Sequence, residues 1–388
     1  MQKKKTLALL LCVLLLAALV PTALAAGGSR TVQPAVTVET VTEAAAVNSC
    51  GENTLWSISS GGVLSVSGVG AMFDYTYGTA PWYGERWGIS SVTVGEGVTA
   101  IGAYAFAGCS QIRDITLSAT VTAIGDGAFD DCRNLNYVTV AAGNPAYQAQ
   151  DGVLLSRDGA ALLLVPEGLF GAYTVPDTVR SVEYSAFANC RYLTGVTLPT
   201  SLVSISGNAF TGCTGLTEIS LAEGNTAYQT VDGALLTADG TGLIYCPGGK
   251  TGSYTVPETV RDIQYSALAD CSRLSEVTIP TSVVTIGEKA FAGCESLQDV
   301  HYGGTQAEWR NVFIDEGNEP LTHATLHFDA LLPGDLNSDN VLTAEDLALL
   351  AKYVRLKGVG VTLDASGDLN GDGSVNGADL VRLAKLLG

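Results

Sequence analysis

The chain has 388 residues, with 39 acidic against 20 basic side chains and a formal net charge of −19. A surface this acidic repels nucleic-acid phosphates and anionic membranes, so neither is an expected partner. The length allows one large domain or two to three ordinary ones, enough to bury a substantial core.

The N-terminus reads as an export signal over residues 1–25. Lys3, Lys4 and Lys5 precede an apolar run from Leu7 to Val20, Pro21 breaks it, and Ala23-Leu24-Ala25 fits the small-x-small cleavage pattern. The run is too short and wrongly flanked to span a bilayer. Cys12 follows Leu11 rather than a small residue, which argues against a lipoprotein signal. Residues 26–47 are rich in Thr, Val and Ala, lack aromatics and show no period; they are expected to be a flexible leader.

Internal repetition follows. Ala-Phe-x-x-Cys ends at Cys109, Cys132, Cys190, Cys213 and Cys294, and Cys271 closes a copy with Leu268 in the Phe place. The cysteine spacings alternate between 23 and 58, so Phe106, Phe187 and Leu268 share a register of 81, as do Phe129, Phe210 and Phe291. A long unit is thus a short one with a 35-residue insertion. Within a short unit, Ile115 and Leu117 alternate with polar neighbours, the mark of a strand with one inward face. Val121 and Ile124 turn the coil and Phe129 closes it. One coil cannot bury such a stripe alone, whereas stacked coils bury it continuously.

The two insertions match each other: Tyr147 with Tyr228, Asp151-Gly152 with Asp232-Gly233, Pro166 with Pro247, and Tyr173 with Tyr254. Apolar runs around Asp158-Gly159 and Asp239-Gly240 read as two β-hairpins, expected to project from one flank.

The repeat V-x-x-I-x-x-x-A-F-x-x-C-x-x-L resembles the BspA-like class of bacterial leucine-rich repeats. Gly51 to Met72 and the segment from Ala80 resemble its N-terminal cap, and Tyr302 to Phe328 its C-terminal cap. The resemblance covers residues 48–328. It implies an α/β-type repeat solenoid, mostly short strands and turns, on a surface protein that binds other proteins or host molecules.

Eight cysteines remain after the signal, and six occupy one repeat position. A small apolar side chain is wanted there, so these are expected to be buried free thiols. Cys50 and Cys246 lie outside the ladder, and a bridge between them stays open at this point.

After a hinge at residues 329–333 the composition changes. GDLNSDNVLTAED and GDLNGDGSVNGAD start at Gly334 and Gly367, 33 residues apart. Asp335, Asn337, Asp339 and Asp346 stand at loop positions 1, 3, 5 and 12, matched by Asp368, Asn370, Asp372 and Asp379. With the position-7 carbonyls of Val341 and Ser374, such oxygens build an EF-hand-like cage for one Ca²⁺ per loop, two ions in all. Thr343 and Asn376, at position 9, are candidates to act through water. Asp replaces the usual Glu at position 12, and position 6 is Asn340 in one loop and Gly373 in the other; Asn tolerates the left-handed turn less well than Gly but does not forbid it. An amphipathic helix follows each loop.

Duplicated loop-helix units with Asp at position 12 resemble a type I dockerin, here over residues 334–388, a small all-α calcium-binding module. The resemblance implies a cohesin partner on a scaffoldin, met by Ala351-Lys352 and Ala384-Lys385. The neighbouring Ala344-Glu345 and Gly377-Ala378 differ, which leaves open whether both faces bind.

No catalytic constellation stands out, and no enzyme is expected. G-x-S-x-G, H-E-x-x-H and P-loop motifs are absent from the sequence. His323 and His327 lie in THATLHF, read as a strand, where residues four apart stand too far apart to chelate. Trp82, Tyr83 and Trp87 could stack on a sugar, but cap packing is the simpler use. The expected function is a secreted, non-catalytic binding protein whose repeats engage a protein ligand and whose dockerin attaches it, through Ca²⁺, to a cohesin at the cell surface. No anchor follows the second loop, so attachment is expected to be non-covalent. The alternatives are a polysaccharide-binding accessory of a cellulosome-like complex and, more remotely, an unrecognised polysaccharide-degrading enzyme.

Overall fold

A computed structural model describes residues 48–328, 333–337, 342–357 and 367–387. The expected signal and leader lie outside the described residues, as do Asp339, Val341 and most of the hinge.

The 23-residue period becomes the rung spacing of a solenoid. Ser91–Val94, Asp114–Leu117 and Tyr137–Val140 pair in parallel, so that Val92, Ile115 and Val138 stand directly opposite one another. In Asp114–Leu117 the inward Ile115 and Leu117 are fully buried while Asp114 faces solvent, as a period of two requires. The same pairing joins Leu193–Leu198 to Glu218–Leu221 and Leu274–Ile279 to Asp299–Tyr302. A second, narrower ladder of two- to four-residue strands runs along another side, for example Val98–Ile101 against Ala123–Ile124.

Two left-handed residues in each of the six repeats that end at a ladder cysteine make the corner between these ladders. One stands two places before the Phe position: Tyr104, Gly127, Ser185, Asn208, Ser266 and Lys289 all have positive φ. The other precedes each ladder cysteine, as Gly108, Asp131, Asn189, Gly212, Asp270 and Gly293. Gly, Asn and Asp dominate the second set because they adopt this conformation at least cost. Inside the corner, Phe106 lies between Trp82 and Phe129 with ring centroids 5.7 and 5.8 Å away, and Phe187 stacks on Phe210 at 4.7 Å. All eight described cysteines are buried free thiols, Cys50 and Cys246 included.

The insertions contain the expected hairpins but do not project. In the first, Tyr147–Gln150, Val153–Ser156 and Ala161–Leu164 form an antiparallel meander, whose opening turn is Asp151-Gly152 with both residues at positive φ. Ala161–Leu164 then pairs in parallel with Ser181–Val182, and Gly171–Thr174 pairs in parallel with Leu193–Leu198. The insertion therefore ends as an extra coil of the stack. Val153, Leu154, Leu155 and Leu162 are buried, and exposing them on a projecting hairpin would forfeit that burial. The second insertion repeats this arrangement.

The hairpin Thr54–Ile58 with Val63–Gly68 closes one end, docking in parallel on Ser91–Val94. Trp82 is fully buried there and its Nε1–H donates to the Ala105 carbonyl at 2.9 Å, which confirms cap packing for that residue. At the other end, two short helices, α1 (Gln306–Trp309) and α2 (Glu319–His323), precede the last strand, Thr325–Phe328. His323 thus ends a helix rather than lying in the strand, because Asn318 and Pro320 start a turn of helix ahead of it. His327 is on the strand, stacked on His301 at 4.6 Å and 2.7 Å from Asp299.

The C-terminal module holds two helices, α3 (Ala344–Leu356) and α4 (Gly377–Leu386), which pack against each other and bury Leu350 and Leu383. Gly334 has φ +97°, a backbone conformation that strains any L side chain, and a Cβ there would press on Leu383 Cδ1 at 2.7 Å. Among the described residues no helix is long and apolar enough to cross a membrane.

Candidate functional site

The sites expected to bind ions and a partner fall on the two loop-helix units. Each helix begins with a reciprocal cap built from loop positions 9 and 12. In the first, Thr343 Oγ1 accepts from the Glu345 backbone N–H at 3.1 Å, and Asp346 Oδ2 accepts from the Thr343 N–H at 2.8 Å. In the second, Asn376 Oδ1 accepts from the Ala378 N–H, and Asp379 Oδ2 from the Asn376 N–H, both at 2.8 Å. Thr343 and Asn376 therefore serve as helix caps, a role their three-residue spacing from an acidic side chain already signals in the sequence.

The other oxygen of each capping carboxylate closes the loop. Asp346 Oδ1 accepts from the Leu336 N–H at 2.8 Å, and Asp379 Oδ1 from the Leu369 and Asn370 N–H groups at 2.9 and 3.1 Å. Asp335, Asp346 and Asp379 are completely buried. Burying ionised carboxylates is costly unless hydrogen bonds or cations compensate them.

Within the second loop, Asp368 accepts from the N–H groups of Gly371, Asp372 and Gly373. Asp372 accepts from the Ser374 N–H and from the Asn370 side-chain amide. Gly371 and Gly373 provide the positive φ that folds these amides inward. The donor set is oxygen throughout, which suits a hard cation such as Ca²⁺ in kind. Among the described residues no three His, Cys, Asp or Glu side chains form one group close enough to hold a metal ion, and Asp339 and Val341 lie outside those residues.

Lys352 on α3 and Lys385 on α4 are both exposed. Their neighbours differ: Ala351 is half-buried, Ala384 is exposed, and α4 also shows Val381 and Leu386 to solvent. The two helix faces are equivalent in sequence position but not in surface.

Comparison with protein families finds the BspA type leucine rich repeat region in six copies, at residues 83–147, 170–231 and 248–313, and a dockerin type I domain at residues 333–388. Both are non-catalytic modules. Among solved structures, a leucine-rich repeat protein from Eubacterium ventriosum is 24% identical, over 66% of this chain and 72% of that one, with a TM-score of 0.47. A leucine rich cell surface protein from Faecalibacterium prausnitzii is 19% identical, covering 69% and 97% of the respective chains, at a TM-score of 0.36. The pneumococcal vaccine antigen PcpA is 17% identical, covering 71% and 85%, at a TM-score of 0.33. No curated protein sequence matches this chain.

Proposed function

Because this chain is a BspA-type leucine-rich-repeat protein ending in a type I dockerin domain, we propose that it is a secreted, non-catalytic binding protein held on a cohesin-bearing scaffoldin at the bacterial surface. The repeats, residues 48–328, engage a protein ligand, and residues 334–388 dock. The observation that carries this reading is the duplicated loop-helix unit, with Lys352 and Lys385 exposed at matching places on α3 and α4. In it, Asp335, Asn337, Asp339 and Asp346, with the Val341 carbonyl, hold one Ca²⁺. Asp368, Asn370, Asp372 and Asp379, with the Ser374 carbonyl, hold the second. Each ion would add positive charge beside the loop carboxylates. What the chain itself contributes is the clasp: Asp346 and Asp379 join loop start to helix start, so ordering the loops orders the faces carrying Ala351-Lys352 and Ala384-Lys385. Export is supported by the lysine, apolar and small-residue order of residues 1–25.

Calorimetry of the protein against the cohesins of its own organism, with Ca²⁺ and then with chelator, tests the reading. Binding that needs Ca²⁺ is the expected result; a protein that engages none of those cohesins in saturating Ca²⁺ does not work this way. A second reading, polysaccharide binding, draws on Trp87, which is 64% exposed with the Arg86 guanidinium 4.5 Å from its ring centroid. Retention of the protein on plant polysaccharide in the absence of any cohesin would favour it.

A further inference from the structure

The stack opens beside Glu167 into a cavity of about 720 Å³, a size typical of ligand sites. Asp126, Asp130, Glu167 and Glu183 line it, and no Lys, Arg or His does. Tyr104, Tyr147 and Tyr184 add aromatic surface. Glu167 belongs to the turn between Ala161–Leu164 and Gly171–Thr174 and is only 5% exposed; its Oε2 is cut off from solvent without a hydrogen-bond partner. Burial, reinforced by the nearby Asp131 charge, pushes its pKa up to about 8, although the Asp131 backbone N–H and Arg191 pull the other way.

The molecule contains its own control. Adding the 81-residue register to this place leads to a second cavity, in the next long repeat, of only about 90 Å³. There Asp126, Asp130 and Glu183 are replaced by Gly207, Thr211 and Gln264, and Glu167 by Gly248. Leu164 is replaced by Tyr245, whose ring stacks on Phe210 at 5.0 Å and whose hydroxyl accepts from the Gly248 N–H at 3.2 Å. All four carboxylates vanish together with the space. The coil needs neither, so the acids of the first cavity are not there to build the fold.

We propose that the first cavity binds an organic cation, the guanidinium or ammonium group of a basic side chain on the protein ligand of the repeats. The charge of the lining repels anions, and a neutral sugar does not call for four carboxylates. The four acids are dispersed around the cavity rather than gathered at one point. A longer cation spans dispersed carboxylates and gains from the tyrosine faces as well. Near neutral pH the cation takes the place of the proton on Glu167, which leaves to solvent. The assignment rests on the repeats being a protein-binding module only for the source of the cation; it does not depend on cohesin.

The test is calorimetry of the full mature chain with N-acetyl-arginine methylamide, N-acetyl-lysine methylamide and the neutral N-acetyl-citrulline methylamide, in saturating Ca²⁺ and in buffers of different ionisation enthalpy. At least one cationic amide should bind tenfold or more tighter than the citrulline compound, with proton release. Glu167→Gln should weaken it at least tenfold and abolish the proton release. The double change Leu164→Tyr with Glu167→Gly copies the second repeat, which folds, and should remove binding altogether. Equal binding of the neutral amide, unchanged affinity in both variants, or no binding of either cation would overturn the proposal. Cohesin binding measured on the same samples separates that outcome from failure of the docking reading.

Discussion

The carboxylate of Asp346 accepts a hydrogen bond from the backbone N–H of Leu336, ten residues earlier, at 2.8 Å, and thereby ties the start of the first loop to the start of α3. Asp379 does the same with Leu369 at 2.9 Å. One side chain in each unit is at once loop clasp and helix cap, so loop order and helix order are a single event.

Helix formation in residues 334–388 should consequently depend on Ca²⁺. Circular dichroism of that segment should show low helicity in chelator and a clear gain on adding the ion, with an affinity in or tighter than the ~10⁻⁷–10⁻⁵ M range. Asp346→Ala should weaken Ca²⁺ binding and lower the stability of the module by at least about 1–3 kcal/mol, because it removes an ion ligand together with the cap and the clasp. Equal helicity with and without Ca²⁺ would contradict the coupling.

The cysteine ladder should stay reduced and unreactive. Burial pushes the Cys109 thiol up to about 12 and the Cys132 thiol well above its ordinary value, with Cys109 and nearby acids adding to the latter. Thiolate is the reactive form, so native protein near neutral pH should react slowly with a disulfide reagent. After denaturation, at least six of the eight mature-chain thiols should be found free. A count of two or fewer would mean that the ladder is cross-linked.

Cohesin binding should pass through the paired lysines. If either face can dock, Lys352→Glu or Lys385→Glu alone should cost little, and the double variant should abolish binding, since each change places an unpaired or repelling charge at the interface. The extra exposed apolar surface of α4 favours the Ala384-Lys385 face, so Lys385→Glu should be the more damaging single change. A double variant that binds like the parent in saturating Ca²⁺ would take these lysines out of the interface.

Glu167 should make the repeats less stable as pH rises. Its folded pKa, about 8, lies above the ordinary value of 4.5, so the folded state holds the proton longer than the unfolded chain. Its contribution is therefore fully present below about pH 4.5 and is lost as pH rises through about 8, a change on the order of a few kcal/mol. Thermal melts across that window, compared with Glu167→Gln, check the sign: the variant should show a flatter dependence. A parent and variant with superimposable profiles would mean that Glu167 titrates alike in the folded and unfolded chain.

Sequence alone determined the rungs, because a parallel ladder whose partners lie one repeat apart, as Val92, Ile115 and Val138 do, turns a period directly into a register. It likewise determined the thiol ladder and the two loop-helix units, since their chemistry is carried by short, fixed spacings. Tertiary structure decided the rest. The hairpin residues of the insertions are legible in the chain, but their entry into the stack depends on whether Leu154 and Leu162 find a surface to bury against, which no local pattern states. The acidic cavity is the clearest case. Asp126 and Asp130 lie in one coil, Glu167 in the next and Glu183 in the one after, and each reads by itself as a solvated turn residue. Only the stacking of those coils brings them around one space. In the next long repeat Tyr245 stands at the place of Leu164, stacked on Phe210, and the matching space is far smaller, a difference of side-chain volume rather than of hydrophobic pattern.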